Sequence, residues 1–455
     1  MALCYDIFNK LLFFGFICMQ NFLKSRFFQL LLLFVAVAVV LFDAEVTGVI
    51  IFLNIIGFVL IACRETAVSF LPFMLTCTFA VKCYDSFSVF APLWWAYIFP
   101  IGAVIFHFIF YRRKFVIGKS FFGLAAVAFA VTFGGVGIIS AKEYFAPMSL
   151  YYIFGLGIGM LFVYLLLRPA FVDTSDYKSS EAFIFAMYIT GIFASFMVIR
   201  AFWQNDIAVT GSILPQIQWS NNISTVLMLA MPIPLYFTRK NPLHISAVLL
   251  FYICAALSGS RGGLILGGVE FIICIIAFIF FAEKRKEKLL RAGICGGVML
   301  LCAVLVCFNI IPLSEIFPRE SVIIAEDEAR VMLAKRAAED FCRAPIFGIG
   351  LGNRANTDLY PAAVKGTICW YHTMIPQIIG SMGIIGIIAY GFNIILRFIL
   401  VIKKKSLQGA VMGLSYLGLL LMSQVNPGEF CPLPYALVAV IIFIFVENRD
   451  KEITE

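Results

Sequence analysis

Uninterrupted apolar stretches, each close to the roughly twenty residues that cross a bilayer as a helix, recur along nearly the whole chain. In hydrocarbon every backbone N–H and C=O must find a partner inside the protein, so only helices and closed barrels are open to such a sequence. Runs such as Phe271–Phe281 are continuous and lack the apolar–polar alternation of barrel strands, which selects helices. Charged residues make up 13% of the chain, against about 25% in soluble domains. The expected fold is an all-α polytopic membrane protein of about 12–14 transmembrane helices. One large extracytoplasmic loop containing a short amphipathic helix completes it. The first apolar runs lack a small-residue cleavage site, so no cleavable signal peptide is expected.

The formal charge of +8 is a matter of topology and gives no reason to expect a nucleic-acid partner. Basic residues cluster in alternate connections: Arg112-Arg113-Lys114, Arg168, Arg239-Lys240, Lys284-Arg285-Lys286 and Lys403-Lys404-Lys405. Placing these in the cytoplasm, with both termini inside, satisfies the positive-inside rule. Four stretches follow: N-terminal helices over 1–199, central helices over 200–311, the large loop over 312–371 and C-terminal helices over 372–455.

With this orientation the polar chemistry gathers outside. The connection Arg200–Asn222 mixes aromatics with amides, suited to an interfacial belt or to stacking on sugar rings. The large loop carries an amphipathic helix over Ala325–Cys342, with Val331, Leu333, Ala334, Ala337, Ala338 and Phe341 as its apolar stripe. Pro345 stops it, and Gly348-Ile-Gly350-Leu-Gly352-Asn353 makes a flexible turn. No strand–turn–helix unit surrounds that glycine run, so a dinucleotide fingerprint is rejected. Ser258-Gly259-Ser260-Arg261-Gly262-Gly263 forms a tight turn whose arginine suits a phosphate bidentately, with small neighbours that would let the anion approach backbone N–H groups. A snorkelling arginine is the competing account of that position.

Of three histidines, His107 lies in an apolar run, His244 starts a cytoplasmic helix, and His372 opens the hydrophobic segment after the large loop. An imidazole titrates near neutrality and suits proton transfer. Thr373 is placed as N-cap and Pro376 in the first turn, so the positive helix end keeps the ring neutral. Gly380, Gly383 and Gly386 recur every three residues and predict close approach of a neighbouring helix. No Cys/His spacing suggests a metal site.

Three segments in order give the chain a resemblance to the O-antigen ligase and polysaccharide polymerase superfamily. Ser260-Arg261-Gly262-Gly263 is similar to its Ser-Arg-Gly-small turn. Arg330, followed by Pro345-Ile-Phe-Gly348-Ile-Gly350, is similar to its Arg…Pro-x-x-Gly-x-Gly segment. His372-Thr373, nine residues, then Gly383-x-x-Gly386 resembles its ligase signature, with Thr373 where the family more often has Asn or Ser. The resemblance implies a glycosyltransferase of the bacterial inner membrane, working in cell-surface polysaccharide synthesis without nucleotide sugar, cofactor or metal. A lipid-linked oligosaccharide on undecaprenyl diphosphate is the implied donor, and a glycan or lipid the acceptor. Membrane lipids and other polysaccharide-assembly membrane proteins are the expected partners.

The residues agree with that chemistry. His372 is the expected general base, and Arg261 and Arg330 the expected diphosphate contacts. Arg200, Arg336 and Arg354 are secondary candidates for glycan or phosphate. The alternative function is transport of a small anion or solute, which calls for mid-membrane charge and broken helices or inverted repeats. The sequence places mid-membrane charge almost wholly at Glu270. An assembly protein without chemistry is the third class.

Overall fold

The computed structural model describes residues 17–82, 89, 91–147, 149–174, 177–204, 219–282, 284–307, 320–352, 371–426, 428–430 and 432–448. Every regular element among them is helical, as hydrocarbon burial of the backbone demands. Six of these helices are long and apolar enough to span a membrane, or seven if Ile17–Leu23 and Arg26–Leu41, bent by 60°, count as one. Shorter apolar helices, such as Ser120–Phe133 and Leu407–Met422, accompany them. The chain is an all-α polytopic membrane protein.

Two compact units divide the chain, and one comprises Met1–Phe115 and Pro169–Met197. Within it Glu45–Ala62 packs against Phe70–Lys82 and Ile98–Phe110. His107 is buried at this junction, with Nδ1 2.7 Å from the Leu60 carbonyl and Nε2 2.8 Å from Thr66 Oγ1. Both ring nitrogens are engaged in holding the helices, which accounts for this histidine structurally.

The other unit, Val116–Arg168 and Val198–Glu455, contains the segments singled out above. Its last helix, Leu437–Glu447, is buried from Val438 to Val446, as expected of a segment apolar on all sides. Glu447 ends it by accepting from Ser120 N–H (2.8 Å), Tyr164 hydroxyl (2.5 Å) and Arg168 Nε (2.7 Å). These bonds fix the start of Ser120–Phe133, which lies along the long helix Met374–Lys404. The latter has Thr373 and His372 before its first turn, and Lys403 and Lys404 in its last.

The large-loop helix spans Glu320–Arg343, beginning five residues earlier than the expected Ala325. Among its described side chains the packed face is Leu333, Ala337 and Asp340, continued by Ala344. Val331 is exposed, so the predicted apolar stripe is corrected. The helix turns a face containing a carboxylate, rather than its greasiest face, towards Met374–Lys404.

Candidate active site

The helix behind His372 is broken. Gly383 has φ 59° and ψ −150°, a conformation open essentially to glycine alone. The break exposes backbone groups that hydrocarbon cannot satisfy. Segment Pro345–Leu351 supplies the partners. Ile349 and Gly350 N–H donate to the carbonyls of Gly380 (3.1 Å) and Ser381 (2.9 Å). In return, Ile384 and Ile385 N–H donate to the carbonyls of Pro345 (2.9 Å) and Ile346 (3.2 Å). Leu351 N–H continues to the Gly135 carbonyl at 2.7 Å, and Ser140 Oγ donates to the Gly348 carbonyl at 2.6 Å.

This replaces the expectation of helix–helix packing along the glycine stripe. A Cβ on Gly380 would meet the Tyr371 ring, one on Gly383 the Pro345 and Ile346 carbonyls, and one on Gly386 side chains of its own helix. Likewise the Gly348–Gly352 run is more than a flexible turn. Gly348, at φ +70°, lies against the Ser381–Met382 backbone, so the two glycine motifs form one object.

His372 sits at the mouth of this helix with φ +58°, the left-handed region that non-glycine residues rarely enter. Anchors on either side hold it there. Before it, Tyr371 N–H donates to Gln377 Oε1 (2.9 Å), and its hydroxyl donates to Asp340 Oδ2 on the loop helix (2.7 Å). Gln377 Nε2 is itself directed to Ser381 Oγ at 3.0 Å. After it, Met374 N–H donates to the Ser423 carbonyl at 2.8 Å. Thr373 occupies the N-cap position without a side-chain capping bond, so the expected Thr cap is replaced by these contacts. Burial lowers the pKa of His372 from its ordinary 6.5, and the positive charge of Arg330 lowers it further. The imidazole is neutral at pH 7, the state that accepts a proton.

Arg330 and His372, foreseen from separate segments, are therefore electrostatic neighbours. Arg261 opens the helix Arg261–Phe280, half-buried, with Ser260 Oγ accepting from Gly263 N–H at 3.1 Å and donating to Asn221 Oδ1 at 2.7 Å. A Cβ on Gly262 would meet Val425 and Met422, beside the Ser423 that holds Met374. The turn carrying Arg261 and the mouth carrying His372 thus share the 422–425 turn. Those glycines are occupied by protein: Gly263 faces Ser224 and the Ala255 carbonyl. Both glycines serve close packing of the turn.

The secondary candidates scatter. Arg336 lies 3.8 Å from Asp340 Oδ2, next to the Tyr371 hydroxyl, and Arg343 lies 3.3 Å from Asp340 Oδ1. Arg200 is half-buried in the last turns of Ser179–Gln204. Arg354 and most of the Arg200–Asn222 connection lie outside the described residues. At that connection's ends Trp203 is exposed and Trp219 buried.

Two groups were missed. Asp340 had one signal: it falls at the spacing 333, 337, 340, 344 of a packed helical face. The second is Arg397 with Glu429, an ion pair buried beside Tyr416, whose hydroxyl accepts from Arg397 Nη1 (2.7 Å) and donates to Glu429 Oε2 (3.1 Å). The Arg397 guanidinium also lies 4.8 Å from the Tyr416 ring centroid and 5.0 Å from that of Phe443. Buried charge in the helical core is therefore not confined to Glu270, and the sequence reading is corrected there.

No curated protein matches the chain. Residues 245–391 match the family model described as O-antigen ligase. The match begins before the Arg261 turn, includes Arg330 and the Pro345–Leu351 segment, and ends beyond the break at Gly383. Through residues 245–391 the chain is similar to the O-antigen ligase family, the resemblance that its ordered motifs carry.

Proposed function

We propose that the protein transfers a glycan from a polyprenyl-diphosphate carrier to an acceptor hydroxyl at the outer face of the bacterial inner membrane. The O-antigen ligase match over residues 245–391 supports a membrane glycosyltransferase of ligase or polymerase type. The carrier, the face and the residue roles are our reading. The observation that carries it is His372 itself: neutral, clamped at φ +58°, and within the field of Arg330. Strain of this kind persists where surrounding structure over-determines it, and it clusters at functional sites.

In the reaction, the acceptor O–H loses its proton to His372 as its oxygen attacks the anomeric carbon. The anomeric carbon–oxygen bond to phosphate breaks, and its electron pair leaves with the lipid diphosphate. Arg330 and Arg261 meet the charge that develops there, a preorganised electrostatic contribution. The orientation has support from Met374–Lys404, which has His372 at one end and Lys403–Lys405 at the other, where positive residues favour the cytoplasm. Transport receives less support: the broken helix is closed by Pro345–Leu351, and Arg397 is paired with Glu429.

The test is transfer in proteoliposomes from an undecaprenyl-diphosphate-linked oligosaccharide, with either a second donor molecule or lipid A core as acceptor. Wild type should turn over, while His372→Ala and Arg261→Ala, at matched protein amounts, should lose activity. Unchanged turnover in both variants overturns the assignment. A ladder on the carrier lipid marks a polymerase, and a single transfer to lipid A core marks a ligase.

A further inference from the structure

Asp340 and Tyr371 belong to no step written above, yet their hydrogen bond is a direct side-chain tie between the loop helix and the mouth of Met374–Lys404. Asp340 is 1% exposed, and so is Tyr371. The phenol donates to Asp340 Oδ2 at 2.7 Å. Its ring lies against Gly380, where a Cβ would come within 2.8 Å of Tyr371 Cζ. Arg336 and Arg343 flank the same carboxylate at 3.8 and 3.3 Å. Burial raises the pKa of the Tyr371 hydroxyl and the Asp340 charge raises it further, so the phenol remains a donor.

The covalent layout gives this bond its consequence. Tyr371 directly precedes the left-handed His372, while Asp340 lies ten residues, nearly three helical turns, after Arg330. A rigid helix transmits the position of Asp340 to Arg330, and the peptide bond transmits that of Tyr371 to His372. We propose that Asp340 is a positioning residue for transfer: through the Tyr371 hydroxyl it holds the helix bearing Arg330 in register with the turn bearing His372. This inference rests on the reading of His372 and Arg330 as the reacting site, and it adds what sets their separation.

The chain's three histidines make His372 accessible to direct observation. Among the described side chains, the charged groups of the loop helix are Arg330, Lys335, Arg336, Glu339, Asp340 and Arg343, with Arg261 in the neighbouring turn; the 423–426 turn contributes Ser423, Gln424, Val425 and Asn426, none of them charged. Tyr371→Phe is the cleanest probe, because it cuts the tie and leaves every one of those charges in place. Full-length protein labelled with 15N-histidine is titrated in detergent by NMR, with His372→Ala assigning the resonance. In Tyr371→Phe the His372 midpoint should rise towards its ordinary 6.5 as Arg330 drifts away. Asp340→Asn, which keeps an acceptor for the phenol, should hold the wild-type midpoint.

In the transfer assay kcat should fall on the order of 100-fold for both Tyr371→Phe and Asp340→Ala, the scale of a misplacement of about 1 Å. The double variant should lie within about 3-fold of the worse single one, because both cut the same tie. Asp340→Asn should recover most of the loss. An unmoved midpoint in Tyr371→Phe overturns the proposal, whether or not turnover falls, since a purely structural role lowers activity without moving it. Full turnover in His372→Ala would instead defeat the reading of the site while leaving the titration result standing.

Discussion

Histidine at φ +58° crowds its Cβ against the following carbonyl, at a cost of about 1–2 kcal/mol. Replacement at this position separates strain from chemistry. His372→Gly should raise unfolding stability by about 1 kcal/mol through relief of that crowding, and abolish transfer. His372→Asn, which tolerates the left-handed region, should leave the melting temperature unchanged and cost 10- to 1000-fold or more in kcat, on the order of a lost general base. Thermal unfolding in detergent beside turnover checks both; an active glycine variant would remove His372 from the chemistry. The pH profile gives a second measurement. Burial and the Arg330 charge both lower the imidazole pKa, so protonation disables the base only below its ordinary 6.5. The acid limb of kcat/KM should therefore lie below that value. Arg330→Met removes a charge that opposes protonation, so the limb should move to higher pH while the remaining rate falls. A limb that stays put, or moves down, would show that Arg330 does not act on His372. The residue was visible in the sequence as a histidine ahead of an apolar segment; its backbone conformation was not, because histidine enters the left-handed region more often than most residues yet still only occasionally.

At the scale of elements, the glycines of Met374–Lys404 show how much a spacing can and cannot convey. Three glycines at three-residue intervals read as a packing stripe, and the Pro345–Gly352 run reads as a turn. The bonds that join them run backbone to backbone, between Ile349 and Gly380 and between Gly350 and Ser381, and leave no side-chain signature to detect. The loop helix was legible as a helix because of its periodicity, yet its stripe was misplaced because Asp340 occupies the packed face. Two substitutions in one helix test the broken-helix account. Gly383→Ala forces a Cβ into a glycine-only conformation and against the Ile346 carbonyl at 2.8 Å. It should cost about 1–3 kcal/mol and misplace the mouth of the helix, reducing transfer as well. Gly391→Ala meets nothing within 4 Å and sits in regular helix, so it should stabilise by up to about 1 kcal/mol with transfer intact. If both behave alike in thermal unfolding, the break at Gly383 is not a feature of the folded protein.

The fold class was legible across the whole molecule because apolar runs of helical length leave a chain no other way to pair its backbone. Which polar groups those helices bury was not, since that depends on partners distant in sequence. Glu429 follows an apolar helix in a stretch that reads as a surface turn, but it reaches Arg397, 32 residues earlier, seven residues before the end of its helix at Lys404. From there the chain continues to Tyr435, whose hydroxyl donates to the Asn222 carbonyl at 2.8 Å, and Asn221 next to it accepts from Ser260, the residue before Arg261. A buried pair thus fastens the segment that supports the Arg261 turn. Desolvating both ions offsets much of their attraction, so such a pair contributes little beyond what apolar residues would; removing one partner leaves a buried charge uncompensated and costs about 3–5 kcal/mol. Arg397→Met and Glu429→Leu should each destabilise by that order in detergent unfolding. The double variant should recover most of the loss and be less destabilised than either single variant, a coupling on the order of the summed single costs. Transfer should track differently from stability. If the pair acts by fastening the Arg261 turn, the double variant regains its melting temperature but binds donor less well, raising KM with kcat nearly unchanged. Independent, additive losses in unfolding would dissolve the pair as a unit, and a donor KM unmoved in the double variant would confine it to holding the helices together.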